Sequence, residues 1–196
     1  RSSGSSMRPT SPATLPTGNA QGVAFSSTGA DIAVGHNGSP YISAYPFTSG
    51  TGFGTKYSNP ASLPNSNAYN TAFNGTSDLA IAHETTPYIS VYPWTPGTGF
   101  GSKYSAPGTL PTSTGTDIEF YNGTEIAHTQ GASPYVNVYP WTSGTGFGSR
   151  YSNPATLPAG NSQGVAWTGI PSGHPAGKRL GGVKFANRSM SRVRSW

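Results

Sequence analysis

One phrase of this sequence is written three times. Residues 134–141 read Pro-Tyr-Val-Asn-Val-Tyr-Pro-Trp, and with their continuation to Pro158 they repeat residues 87–111 and, before those, 40–64. The offset is 47 residues each time. Self-similarity at such a period means one supersecondary unit built several times. A unit of this size cannot bury both of its faces alone, so the copies have to stack on one another.

Inside each copy the apolar residues fall into short runs. In the first, Gly22-Val23-Ala24-Phe25 and Asp31-Ile32-Ala33-Val34-Gly35-His36 have strand length and flank a turn at Ser27-Thr28-Gly29-Ala30. Beyond Asn37-Gly38-Ser39-Pro40, the run Tyr41-Ile42-Ser43-Ala44-Tyr45 alternates as a strand does. Gly50-Thr51-Gly52-Phe53-Gly54 reads as a loop whose phenylalanine plugs a gap, and Thr55-Lys56-Tyr57-Ser58 as a short polar fourth strand. The second and third copies follow the same plan. A fourth begins at Gly164-Val165-Ala166-Trp167, passes through an irregular loop over 168–179, and then lays Phe185-Ala186-Asn187 on Val34-Gly35-His36 at an offset of 151. At that offset residues 192–196 fall on 41–45, so the chain stops where a fourth strand is due. The N-terminal segment 11–16 matches the end of a repeat at 59–64, so the two chain ends are complementary.

Four-stranded units of this length are the signature of propeller blades. The expected fold is all-β: a β-propeller of four blades, each of about four short antiparallel strands, with the N- and C-terminal strands sharing one blade to close the ring. A larger ring completed by a second chain and an open β-solenoid are the alternatives. Residues 1–7 form a flexible N-terminal arm in this reading, and 8–196 one propeller domain. The 27 glycines and 18 prolines recur at fixed offsets, as turn punctuation rather than low complexity. Cysteine is absent, which removes disulfides and thiolate zinc sites. No apolar run is long enough to cross a membrane as a helix.

The strand ending Ala24-Phe25-Ser26, its polar turn and the apolar strand after it resemble WD40-like wording. Together with the Pro-Tyr-Ile-Ser-Val-Tyr-Pro-Trp and Gly-Thr-Gly-Phe-Gly segments, they resemble the WD40-like propeller repeats of tailed-bacteriophage virion proteins, tail- and fibre-associated ones among them. The Trp-Asp pair that names the WD40 family is missing, and Tyr-Pro-Trp or Tyr-Pro-Phe ends the third strand instead. The resemblance implies a structural or host-contacting protein of the virion, not an enzyme, with other virion proteins as partners and no cofactor.

Several constellations carry possible chemistry. His36, His83 and His128 read as the ends of the second strands of three blades, where a repeated imidazole-to-turn hydrogen bond is the first expectation and a metal-binding ring the second. Trp94, Trp141, Tyr88 and Tyr135 recur at two equivalent positions. Packing between blades is their expected use. Stacking on a host-surface glycan, as in a lectin-like propeller, is the alternative function. The basic residues Lys178, Arg179, Lys184, Arg188, Arg192 and Arg194 crowd the C-terminal end without an acid among them. They are expected as wet strand-edge charges, with nucleic acid or an acidic partner as the alternative. Catalysis has little to draw on: Asp117 and Glu119 are the one pair a hydrolase could use, as same-face neighbours on a strand.

Overall fold

The computed structural model describes residues 11–166. These form twelve strands and no helix, arranged as three four-stranded antiparallel sheets in which each strand pairs with the next along the chain. The first sheet holds β1 (Ala20–Phe25), β2 (Asp31–His36), β3 (Ile42–Thr48) and β4 (Gly52–Phe53). The second holds β5 (Ala68–Asn74), β6 (Asp78–His83), β7 (Ile89–Thr95) and β8 (Gly99–Phe100). The third holds β9 (Gly115–Tyr121), β10 (Glu125–Gln130), β11 (Val136–Thr142) and β12 (Gly146–Phe147).

The first strands β1, β5 and β9 pack on one another from sheet to sheet, so they form the inner edge of the stack. The register explains the apolar runs. β6 is buried along its whole length because its sheet is covered on both faces, by the first blade and by the third. β1 is largely exposed, with Val23 at 58% and Phe25 at 50%, because no described blade lies against its free face.

Two cores sit in the seams between blades. In the first seam, Ala33, Ile42, Ala44 and Tyr57 meet Ala68, Leu79, Ile81, Tyr92 and Trp94. In the second, Ala72, Ala80, Ala82, Ile89 and Val91 meet Ile118, Phe120, Ile126, Tyr139 and Trp141. In both seams the outgoing side is therefore mainly alanine and short aliphatics, and the incoming side adds a tyrosine and a tryptophan to its larger aliphatics. Small against large is what close packing of two sheets needs. Each buried indole removes area worth on the order of 4–6 kcal/mol as an upper bound.

The fourth strand of each blade is not where the sequence pattern places it. Gly52–Phe53 and its copies form it, inside the segment expected as a loop. The glycines with positive φ at Gly50 and Gly52 fold a tight turn after β3, and Phe53 pairs with Phe47 across it. Residues 55–58 are no strand, although the Tyr57 amide still donates to the Ala44 carbonyl at 2.9 Å.

The segment 11–16 forms no strand and makes the contact that 59–64 makes one blade further on. The Tyr45 hydroxyl donates to the Thr14 carbonyl at 2.8 Å, just as Tyr92 does to Ser62 and Tyr139 to Thr109. These stretches are lead-ins held under the blade that follows them. The strands expected to close the ring, near Arg8 and Val193, lie outside the described residues.

Candidate functional site

Each seam is fastened by the same three side chains. In the first, Asp31 Oδ1 accepts from the Tyr57 hydroxyl at 2.6 Å, and Oδ2 accepts from the Trp94 indole of the next blade at 3.2 Å. In the second, Asp78 Oδ1 accepts from Tyr104 at 2.9 Å and Oδ2 from the Trp141 indole at 3.1 Å. Asn74 and Ser143 also donate to Asp78. All four of Asp31, Asp78, Trp94 and Trp141 are buried. A buried carboxylate is tolerable because each of its two oxygens meets a donor.

The tyrosine in each latch has a second contact. Tyr57 Oη accepts from the Gly97 amide at 3.2 Å, and Tyr104 Oη from the Gly144 amide at 2.9 Å. Gly97 and Gly144 lie in the turns after β7 and β11. Burial first, and then the Asp31 carboxylate, push the Tyr57 phenol up to about 12, so it stays a donor at any ordinary pH. The latch thus runs from carboxylate to phenol to the backbone of the neighbouring blade's turn.

Those turns are the repeated surface of the molecule. Residues 48–51, 95–98 and 142–145 are all exposed. They share one backbone geometry, with Thr51, Thr98 and Thr145 amides each donating at 3.0 Å to Thr48, Thr95 and Thr142 carbonyls. A Cβ on Gly50, Gly97 or Gly144 would meet nothing within 4 Å, so open space faces each turn.

The indoles expected either to pack or to stack on a glycan are turned into the seams, with Trp94 3% and Trp141 2% exposed. They have no free face to offer a sugar. Tyr88 and Tyr135 are half-buried and follow cis prolines at Pro87 and Pro134, with φ near +67°.

The histidines do not form the series the sequence suggests. Ser43 accompanies His36 and Ser90 accompanies His83, at 3.1 and 3.0 Å from the Nε2 atoms. The third position in this register is Gln130, whose Oε1 accepts from Asn137 at 3.0 Å, so blade three uses an amide pair where the others use imidazole and hydroxyl. His128 stands two residues earlier, opposite Ile118 on β9, and its Nε2 lies 3.3 Å from the Tyr88 carbonyl. Burial lowers the pKa of all three imidazoles, to about 4 for His83 and His128. Among the described residues no three metal-ligating groups converge.

At the inner edge, Asp117 Oδ1 accepts from Asn70 and from the Ile118 amide at 2.8 Å, and Oδ2 from the Val165 amide at 2.7 Å. It joins β5, β9 and the chain that follows them. Glu119, on the same face, is held up to about 7 by burial and then by the Asp117 charge. The basic residues 178–194 and His174 lie outside the described residues.

No family model matches the sequence, and no curated protein does. Solved structures do match in fold. A structure of U3-55K superposes with a TM-score of 0.51 at 12% identity, over 74% of this chain and 42% of that one. The WD40 repeats of RRP9 give 0.50 at 12%, over 70% and 39%. A candidate 6-phosphogluconolactonase from Bacteroides uniformis gives 0.58 at 17%, over 80% and 49%. The chain thus spans less than half the length of the structures it matches. Its described residues carry a WD40-like propeller architecture: blades of four antiparallel strands stacked face to face, fastened here by an aspartate, a tyrosine and a tryptophan.

Proposed function

We propose that the protein is a non-enzymatic docking module, a component of a bacteriophage virion that presents a rigid, multivalent surface for assembly or host attachment. One observation carries this reading: three exposed turns of identical backbone, two of them pinned through a glycine amide to the tyrosine of the preceding blade. Equivalent weak contacts on a rigid frame gain through effective concentration, and the ordering cost on binding is small when the turns are already held. The assignment to a virion rests on the resemblance of the repeats.

The fold belongs to this reading. Four blades closed by the chain's own ends make a frame without a loose rim. In support of a further copy, the chain after β12 returns to the third blade, where Val165 donates to Asp117 and the Thr116 hydroxyl donates to the Ser162 carbonyl at 2.6 Å. A catalytic role for Asp117 is disfavoured, because both of its oxygens are occupied by protein donors. The test is electron cryo-microscopy of the protein in its native assembly. Partner density over residues 48–51, 95–98 and 142–145 is expected; turns that all face open solvent would remove the proposal.

A further inference from the structure

The described residues hold three cations, Lys56, Lys103 and Arg150, one after each short fourth strand and 47 residues apart. Two of them are engaged by a side-chain amide. Lys56 Nζ donates to Asn59 Oδ1 and to the Tyr57 carbonyl, the latter at 3.3 Å, and Arg150 Nη1 donates to Asn137 Oδ1 at 2.6 Å. Lys103 has neither kind of partner. Ala106 stands where the other copies carry Asn59 and Asn153, and Ser90 stands where the third carries Asn137. The Lys103 ammonium donates to the Leu63 carbonyl at 3.2 Å, which occupies one of its three protons and cancels no charge.

A cavity of about 240 Å³ opens beside it, with Lys103 and Ala106 both in its lining. Pro87, Ile89 and Val91 of the second blade and Phe147 of the third give it apolar walls, so two blades build it together. Asn65 and Ser105, both exposed, supply an amide and a hydroxyl to the same lining. The space is below the roughly 300–1,000 Å³ of sites for drug-sized ligands, and suits one small ring.

The lining selects the occupant by its chemistry. Walls that make no hydrogen bonds are satisfied by C–H surface, and a ligand hydroxyl turned toward them would lose its partners. An ammonium with free donors is satisfied by an anion. We propose that this cavity binds one acidic sugar unit, a hexuronate, with its carboxylate on Lys103, its C–H face on Phe147 and its hydroxyls toward Asn65 and Ser105. The indoles play no part in this site. None of its lining residues belongs to the turns 95–98 or 142–145, so it stands or falls separately from the docking surface proposed above.

The test titrates the isotope-labelled full chain with methyl glucuronide, methyl glucoside and benzoate, following the backbone amide resonances. The glucuronide is expected to shift the Ser105 and Phe147 amides, and the neutral glucoside to leave them in place. Lys103→Met keeps the aliphatic stem and is expected to weaken glucuronide binding about tenfold or more, the worth of a hydrogen bond to a charged group. Ala106→Asn, at an exposed position, restores the amide of the other copies and should weaken it as much with the melting temperature unchanged. Glucuronide binding that survives either variant, or that the glucoside equals, overturns the proposal. Tighter binding of benzoate would assign the cavity to apolar acids and overturn the sugar. Unmoved amides with all three compounds would overturn the site itself. If Lys103→Met does not fold, Ala106→Asn decides alone.

Discussion

The Trp94 indole donates to Asp31 across the first seam at 3.2 Å, from a residue 63 positions further along the chain. Replacing Trp94 by Phe keeps most of the ring packing and removes the donor. A hydrogen bond to a charged acceptor is worth about 1.5–3 kcal/mol. Trp94→Phe is therefore expected to lose about that much in chemical denaturation. Trp141→Phe should lose less, because Asn74 and Ser143 still donate to Asp78. Equal losses at the two seams would contradict this account.

Acid should loosen the blades through the histidines. His83 and His128 fall from an ordinary 6.5 to about 4 because burial opposes their charge. A depressed imidazole pKa means that the unfolded chain binds the proton first. The stability from each group is whole above pH 6.5 and is lost as pH falls toward 4, on the order of 3 kcal/mol per group. Blade three shows how to remove one of them. His83→Gln with Ser90→Asn copies the Gln130–Asn137 pair and should flatten the stability profile between pH 6.5 and 4, read as melting temperature against pH.

Gly115 and His128 are expected to behave as a pair. A Cβ on Gly115 would stand 2.4 Å from His128 Nε2 and 2.7 Å from the Tyr88 carbonyl. At the equivalent place the second blade has Ala68, with Ile81 where His128 stands. Gly115→Ala should cost about 1–3 kcal/mol as an overpacking change. Adding His128→Ile should restore part of it, and a double variant no better than Gly115→Ala would show that the backbone alone sets the glycine.

Glu119 occupies a position that is alanine in the second blade, Ala72. Its carboxyl, raised from 4.5 to about 7, favours the protonated form in the folded state. Its contribution is thus full below pH 4.5 and lost as pH rises through 7. Glu119→Ala is expected to raise the melting temperature more at pH 8 than at pH 4. The reverse order would mean that the carboxylate is held by a cation.

The repeat and its first three strands per blade are legible in the sequence, because alternation and a fixed period survive without tertiary context. The fourth strand is not, since a strand of two residues that itself begins on a positive-φ glycine carries no period of its own. Residue identity misled where register would not have: His128 looks like His36 and His83, yet two steps of 47 from His36 reach Gln130. The latch was visible in halves. Asp31 with Asp78 and Trp94 with Trp141 are two clear columns, but their pairing joins one repeat to the next. Looking for an acid in one copy and an indole in the following copy is the signal that would have found it.

The alternation of alanine-lined outgoing faces with ring-bearing incoming faces has a consequence for ancestry. Because the second blade presents to the third nearly what the first presents to the second, the coupling is interchangeable. A duplicated 47-residue unit could be spliced in at such a joint and find a compatible seat on both sides. Growth by copying then needs no new interface to be invented.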